Sequence, residues 1–437
     1  MNDRKTIARQ IFRETLAGID ISAALARRLN RHGSVIQAGG APLDLRHGVR
    51  EIVAISIGKA AFALAEGLTT VLSPDFRSRG ILVVPAVPPH SLHGWKTFVA
   101  GHPVPNAESF RAGRAILELL RDCSGETLIF FLLSGGGSSL CELPLDTEIS
   151  LDDFVKLHHA LVTCGAPIGE VNAIRKHLSA VKGGRLAAAA PAAMKLTFGV
   201  TDVPEGQESA LASGPTLPDP TTVEDAERIA RKYRLLEQLP AILRAKFDQH
   251  TLVETPKAGD PAFARAKFEL LLGRRDLFHH AHVATEAAGF FTVCDNSTDG
   301  WPVEKAAQHL LAQLEAIARS RAGQPVALIV NGEVSSPVTG RGTGGRNSAF
   351  ALACVEKISG REITVFSAGT DGIDGNSPAA GAVADGSTLA RARDAGMDAQ
   401  DFCRRSDAFT FFDRLGDAIL TGPTGNNLRD LRILLGG

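Results

Sequence analysis

The stretch Leu128-Ile129-Phe130-Phe131-Leu132-Leu133-Ser134-Gly135-Gly136-Gly137-Ser138-Ser139 joins an unbroken apolar run to three consecutive glycines flanked by serines. Six apolar residues closed by a polar, glycine-rich turn read as a strand covered on both faces, which is the pattern of a parallel sheet. Each glycine costs roughly 0.5–1 kcal/mol of backbone entropy relative to alanine. Such a run makes sense where bare backbone must come close to a ligand. Ser134, Gly135, Gly136, Gly137, Ser138 and Ser139 are therefore candidates for a nest of N–H groups and hydroxyls around anionic oxygens. The plain alternative is a flexible turn between a strand and a helix.

Outward from this point the chain alternates strand and helix. Strands are expected over 51–57, 80–85, 127–133 and 195–200, and helices over 59–71, 109–123 and 151–164. This alternation predicts an α/β fold with a mostly parallel, Rossmann-like sheet and helices on both faces. Residues 224–247 read as one helix, followed by a Pro/Gly-bearing stretch at 255–261. Beyond it the pattern resumes, with helices over 278–288, 303–319, 347–357 and 385–395. Strands are expected at 290–294, 326–331 and 363–368, and a last one near 417–420. At 437 residues the chain exceeds what one core supports. Two domains are expected, 1–250 and 251–437, with the chain free to cross back near its ends.

Composition sets further bounds. A formal net charge of −1 offers no basic field for nucleic acid or an anionic membrane. Aromatic residues are only 5% of the chain, too few for a base-stacking platform. No apolar run reaches 18 residues, so no spanning helix is expected. The six cysteines are scattered without a Cys-x-x-Cys pair, which suggests neither a zinc site nor a redox motif. The opening residues lead into an amphipathic helix rather than a signal-peptide core, and a reduced, cytoplasmic setting is expected.

Ligands of open parallel sheets sit beyond the carboxyl ends of strands, and several loops there are polar. Gly58-Lys59-Ala60 keeps only the tail of a phosphate-binding loop, and Lys59 either meets a phosphate or is a solvated lysine. Thr201-Asp202-Val203 follows another strand, where Asp202 holds a metal or caps a turn. Residues 172–185 gather Arg175, Lys176, Lys182 and Arg185, suited to a carboxylate or phosphate, or to a solvated helix face. Gly340-Arg341-Gly342-Thr343-Gly344-Gly345 meets the pattern Gly-x-Gly-x-x-Gly, but about nine residues separate it from the preceding strand, which is wrong for a dinucleotide loop. Asp371 and Asp374 in Gly369-Thr370-Asp371-Gly372-Ile373-Asp374-Gly375 are turn residues by default, or carboxylates for Mg²⁺. His279-His280-Ala281-His282 lacks a spaced partner and reads as a polar helix start.

The order of these loops is more specific than any one of them. Ile57-Gly58-Lys59-Ala60, Gly101-His102-Pro103-Val104-Pro105, Ser134–Ser139, Arg175-Lys176-His177-Leu178-Ser179 with Lys182-Gly183-Gly184, and Ala212-Ser213-Gly214-Pro215-Thr216 come first. Gly344-Gly345-Arg346-Asn347, Gly369–Gly375 and Thr421-Gly422-Pro423-Thr424-Gly425-Asn426-Asn427 follow. In this sequence of motifs the chain resembles the glycerate 2-kinases of the MOFRL type over nearly its whole length. Members of that family have often been labelled hydroxypyruvate reductases, an NAD(P)H-dependent activity that is the rival reading.

The resemblance implies ATP-dependent phosphorylation of D-glycerate at its 2-hydroxyl, with Mg²⁺, on two α/β domains with the site in the cleft between them. Its small-molecule partners would be D-glycerate and ATP, and a homodimer is left open. On that basis Lys59 and Arg346 are expected to neutralise the transferring phosphoryl group. Asp371, with Asp202 or Asp374 as alternates, would hold Mg²⁺ or accept the hydroxyl proton. Ser134–Ser139, with Gly344 and Gly345, would cradle phosphate or carboxylate oxygens. Arg175 and Lys182 are candidates for the substrate carboxylate.

Overall fold

The computed structural model describes residues 3–437 apart from 39–40, 74, 77, 202, 204–205 and 427, with only the backbone of Ala38, Ala41 and Arg274. The chain forms two compact units, Ile21–Leu271 and the pair of segments Met1–Asp20 and Leu272–Gly437.

The first unit is built on a sheet of β1 (Glu51–Ile57), β2 (Ser78–Val84), β3 (Trp95–Val99), β4 (Thr127–Ser134), β5 (Met194–Val200) and β6 (Ala266–Leu272). Their order across the sheet is β3-β2-β1-β4-β5-β6. The pairs β1–β2, β1–β4, β2–β3 and β4–β5 are parallel. Every residue of β4 is buried, as the unbroken apolar run requires of a central parallel strand. Alternation along the strands separates the two faces. Val53, Ile55, Val83, Ile129 and Phe131 pack with Ala112, Ile116 and Leu120 of the helix Ala107–Arg121. Leu82 and Val84 pack with Ala61 and Ala65 of the helix Ala61–Leu72. The expected single helix at 224–247 is two, Val223–Lys232 and Ala241–Asp248. Arg234 turns into the left-handed region, and Pro240 opens the second helix, so neither can lie within a continuous one.

The second unit carries β7 (Phe291–Asp295), β8 (Val326–Asn331), β9 (Thr364–Gly369), β10 (Gly381–Asp385), β11 (Ala418–Ile419) and β12 (Asp430–Gly436), ordered β11-β10-β9-β12-β8-β7. Only β7–β8 is parallel; the other four pairings are antiparallel. The α/β character expected of this half holds, while the sheet is mixed, and its central strand β12 lies beyond the last strand that the sequence suggested.

The helix Arg4–Gly18 belongs to this second unit rather than to a 1–250 domain. Phe12 meets Phe366 of β9 with ring centroids 5.0 Å apart, and buried Lys5 pairs with Asp417 at 2.8 Å. Its apolar stripe needs a sheet face to cover it, and β9 supplies that face. The division between units falls near 271–272 rather than 250, because β6 completes the first sheet. Among the described residues no helix is long and apolar enough to cross a membrane.

Candidate active site

The strand order of the first unit reverses between β1 and β4, and the loops leaving these two strands are stitched together. Ser134 is fully buried, and its Oγ accepts from the Ala60 N–H at 3.0 Å. The Lys59 N–H donates to the Gly135 carbonyl at 2.9 Å. Gly58 sits at φ +130°, and a Cβ there would lie 2.1 Å from Ser134 Oγ and 2.6 Å from its carbonyl oxygen. Only glycine permits that approach. Gly136 is left-handed at φ +84°, and the space beside its Cα is lined by His102 at 3.3 Å and Lys59 Cγ at 3.4 Å. The lysine stem and the histidine ring thus converge on the glycines. The short helix Gly137–Leu140 begins here, and the amides of Gly137 and Ser138 have no acceptor within it. This is the topological switch point at which open α/β sheets bind ligands.

Around that loop lies a layer of hydroxyls. Ser139 Oγ is 3.0 Å from His102 Nδ1. Ser138 Oγ contacts Ser213 Oγ, and Ser213 donates to Asn172 Oδ1 at 3.0 Å. Ala212 and Ser213 both occupy the left-handed region, at φ 50° and 60°. Such non-glycine residues cost about 1–3 kcal/mol each and persist only where the surroundings fix them. A Cβ on Gly137 would lie 2.7 Å from Ala212 Cβ, so this strained turn is seated directly on the glycine loop.

Arg175 is brought to the same place. It lines one hollow with Ser138, Glu142, Pro105 and His158, and its Nη2 donates to His158 Nδ1 at 3.3 Å. Burial, then the neighbouring Arg175 cation, pushes the His158 imidazole down to about 4, so at neutral pH it is the uncharged acceptor.

Lys182, expected to meet substrate, does not face one. Its Nζ is buried on Glu142 Oε2 at 2.6 Å and the Cys141 carbonyl at 3.1 Å, while Ser179 and the Leu143 N–H also donate to that carboxylate. The charge is spent inside the protein. Lys182→Met should therefore strand a buried carboxylate and cost about 3–5 kcal/mol. Lys182→Met with Glu142→Gln should recover most of it, because the amide still accepts from Ser179 and Leu143. Urea midpoints of both variants check this; a wild-type midpoint for Lys182→Met with a raised KM would return the lysine to the substrate.

In the second unit Arg346 opens the helix Arg346–Val355. Its Nε donates to Asp430 Oδ2 at 2.6 Å, and its Nη2 to Asp430 Oδ1 at 3.1 Å and Glu333 Oε1 at 2.7 Å. Burial opposes its charge, but the Asp430 and Glu333 carboxylates outweigh that and hold the guanidinium well above its ordinary value. Asp430 is buried too, yet Arg346 keeps its carboxyl below the usual range.

Two other expectations change here. Asp374 is buried, and its oxygens accept from the Asn347 N–H at 2.9 Å, the Ser348 N–H at 2.8 Å and Ser348 Oγ at 2.6 Å. It caps the helix, which does not suit a metal ligand, and burial raises its carboxyl. The Gly344 N–H is taken by Asn376 Oδ1 at 2.8 Å and the Gly345 N–H by Ser348 Oγ at 3.1 Å. These glycines serve packing instead of a phosphate: a Cβ on Gly345 would lie 2.3 Å from Asp374 Oδ1. Gly340 and Gly342 pack likewise on the backbone of Arg405 and on Asp407, leaving no dinucleotide loop at this pattern. Asp371 stays half-buried on the turn after β9, its Oδ1 accepting from the Ile373 N–H at 3.1 Å. Asp202 lies outside the described residues. Among the described residues no group of three or more His, Cys, Asp or Glu side chains could hold a metal ion.

His102, Glu142, Asn172, Ser213, Glu333 and Asp430 have structural roles at these loops that were not assigned from sequence. His102 and Ser213 lie inside the quoted motifs; Glu142 and Asp430 sit just after two of them.

Comparison with known proteins agrees with this fold. A family model described as a domain of unknown function (DUF4147) matches residues 7–248, and the MOFRL family model matches residues 326–430. D-glycerate 2-kinase of Thermotoga maritima is 33% identical over 87% of this chain and 90% of its own. Glycerate 2-kinase of Pyrococcus horikoshii is 32% identical over 88% and 87%. A protein of Agrobacterium vitis bearing the name hydroxypyruvate reductase is 36% identical over 88% and 87%. The crystal structure of the Thermotoga maritima glycerate kinase superposes with a TM-score of 0.83 at 30% identity, covering 99% of each chain. The chain belongs to the MOFRL-type glycerate 2-kinase family.

Proposed function

We propose that this protein transfers the γ-phosphoryl group of ATP to the 2-hydroxyl of D-glycerate, giving 2-phosphoglycerate and ADP. The observation that carries it is the stitched pair of loops at the β1/β4 switch point, where the Lys59 stem lies beside Gly136. The names of the relatives supply the substrate. The 2-hydroxyl oxygen bonds to the γ-phosphorus as the bond to the β,γ-bridging oxygen breaks, and the hydroxyl proton leaves to a base. Such transfer is mostly positioning and charge stabilisation. Lys59 and Arg346 neutralise phosphoryl oxygens, and the backbone at 135–138 holds anionic oxygens of phosphate or glycerate. Arg175 takes the glycerate carboxylate.

Mg²⁺, when bound, would neutralise charge on the phosphates. Asp371 fits it, as a half-buried carboxylate on a turn; Asp374 does not, since three donors already use its oxygens. A single protein carboxylate is compatible with Mg²⁺, which takes most of its ligands from water and phosphates. Asp202 is an alternate holder.

The test is a paired assay on the purified protein. One arm supplies D-glycerate, ATP and Mg²⁺ and couples product to enolase without a mutase; the other follows NADH or NADPH oxidation with hydroxypyruvate. Signal in the enolase arm alone is expected, because enolase uses only 2-phosphoglycerate. ADP release without that signal would move the transfer to the 3-hydroxyl. Nicotinamide oxidation without ADP release would restore the reductase reading.

A further inference from the structure

The hydroxyls beside the glycine loop have a fixed direction. A serine hydroxyl has one proton and two lone pairs. Ser213 is fully buried and gives its proton to Asn172 Oδ1, itself on a buried side chain. It has none left for Ser138, so the contact between the two serines uses the proton of Ser138. Ser138 is thereby left with lone pairs only, and it is the half-exposed member of the three. Lone pairs repel a phosphate or carboxylate oxygen and attract a hydroxyl. The left-handed Ala212 and Ser213 hold this relay on the loop. Arg175, a cation for a carboxylate, lines the same hollow.

We propose that Ser138 accepts a hydrogen bond from the non-reacting hydroxyl of the acceptor, a 2,3-dihydroxy acid, and so selects it against 2-hydroxy acids lacking that group. Ser213 and Asn172 are positioning residues that set the direction of the Ser138 proton. This rests on the kinase reading above, and it changes the part played by Ser138 from donor to an anion into reader of a hydroxyl. Sites built to bond a substrate hydroxyl disfavour the analogue without it, because that hydrogen bond is lost.

The experiment compares kcat/KM for D-glycerate and D-lactate, read by ADP release, in wild type and in Ser138→Ala, Ser213→Ala, Asn172→Ala and Asn172→Asp. Where D-lactate turnover falls below detection, its Ki against D-glycerate replaces it. A parallel arm compares ATP with 2′,3′-dideoxy-ATP. Wild type should favour D-glycerate by about 100-fold or more. Ser138→Ala, Ser213→Ala and Asn172→Ala should shrink that preference to below about 10-fold. Asn172→Asp keeps the acceptor oxygen and should retain it. A merely structural role would lower both acceptors alike and leave the ratio unmoved, which would overturn the proposal. A changed ratio confined to the nucleotide arm would overturn it too, by placing a ribose hydroxyl on Ser138. No turnover of D-glycerate by wild type would instead sink the kinase reading itself.

Discussion

Lys59→Ala is expected to lower kcat for D-glycerate phosphorylation by about 10³–10⁵-fold, the loss typical when a phosphoryl-stabilising cation is removed. The fold should survive. The loop at 58–60 is held by backbone: the residue 59 N–H on the Gly135 carbonyl, the Ala60 N–H on Ser134 Oγ, and Gly58 against Ser134. Alanine keeps all three. The enolase-coupled rate should collapse in a variant that circular dichroism shows to be folded, and the thermal midpoint reports what the side chain adds to stability. Lys59→Arg should recover only part of the rate, because a planar fork does not replace a compact ammonium on a flexible stem. Lys59→Ala retaining more than about a tenth of the wild-type rate would exclude this role.

How far such roles could be read from sequence depends on whether the deciding contact is local. β4 and its glycine turn were legible because a fully buried parallel strand writes itself as one apolar run. β12 was not. Arg432 stands in its middle, and a fully buried arginine breaks the apolar pattern that marks a central strand. Nor could the amphipathic stripe of Arg4–Gly18 say which sheet it covers, since that contact with Phe366 spans most of the chain. The site divides in the same way. Gly136 was readable as a place of close approach; Gly344 and Gly345 carried the same signal, but what approaches them is a neighbouring loop. Lys182 was read as a ligand for substrate because Glu142, 40 residues away, becomes its partner only through packing. The sequence shows which residues have charge; tertiary structure decides which charges are already satisfied.

Arg346 is the case where that decision matters most. Arg346→Ala should also lower kcat by about 10³–10⁵-fold, with a second effect on a buried carboxylate. Asp430 is almost fully buried and loses a two-point partner, leaving Arg432 at 3.7 Å as its remaining cation. An uncompensated buried charge is costly, about 3–5 kcal/mol where no partner remains, so the thermal midpoint should fall as well. A loss of activity in this variant alone would confuse catalysis with stability. Arg346→Ala combined with Asp430→Asn separates them, since the amide removes the stranded charge. The double variant should regain part of the lost midpoint, since buried Arg432 then loses its carboxylate, and none of the lost turnover. Arg346→Lys is a further control: it keeps a cation but not the bidentate grip on Asp430 or the reach to Glu333, and it should remain well below wild type. Recovery of turnover in the double variant would mean that Arg346 acts only as the buried partner of Asp430, and the phosphoryl group would need another cation.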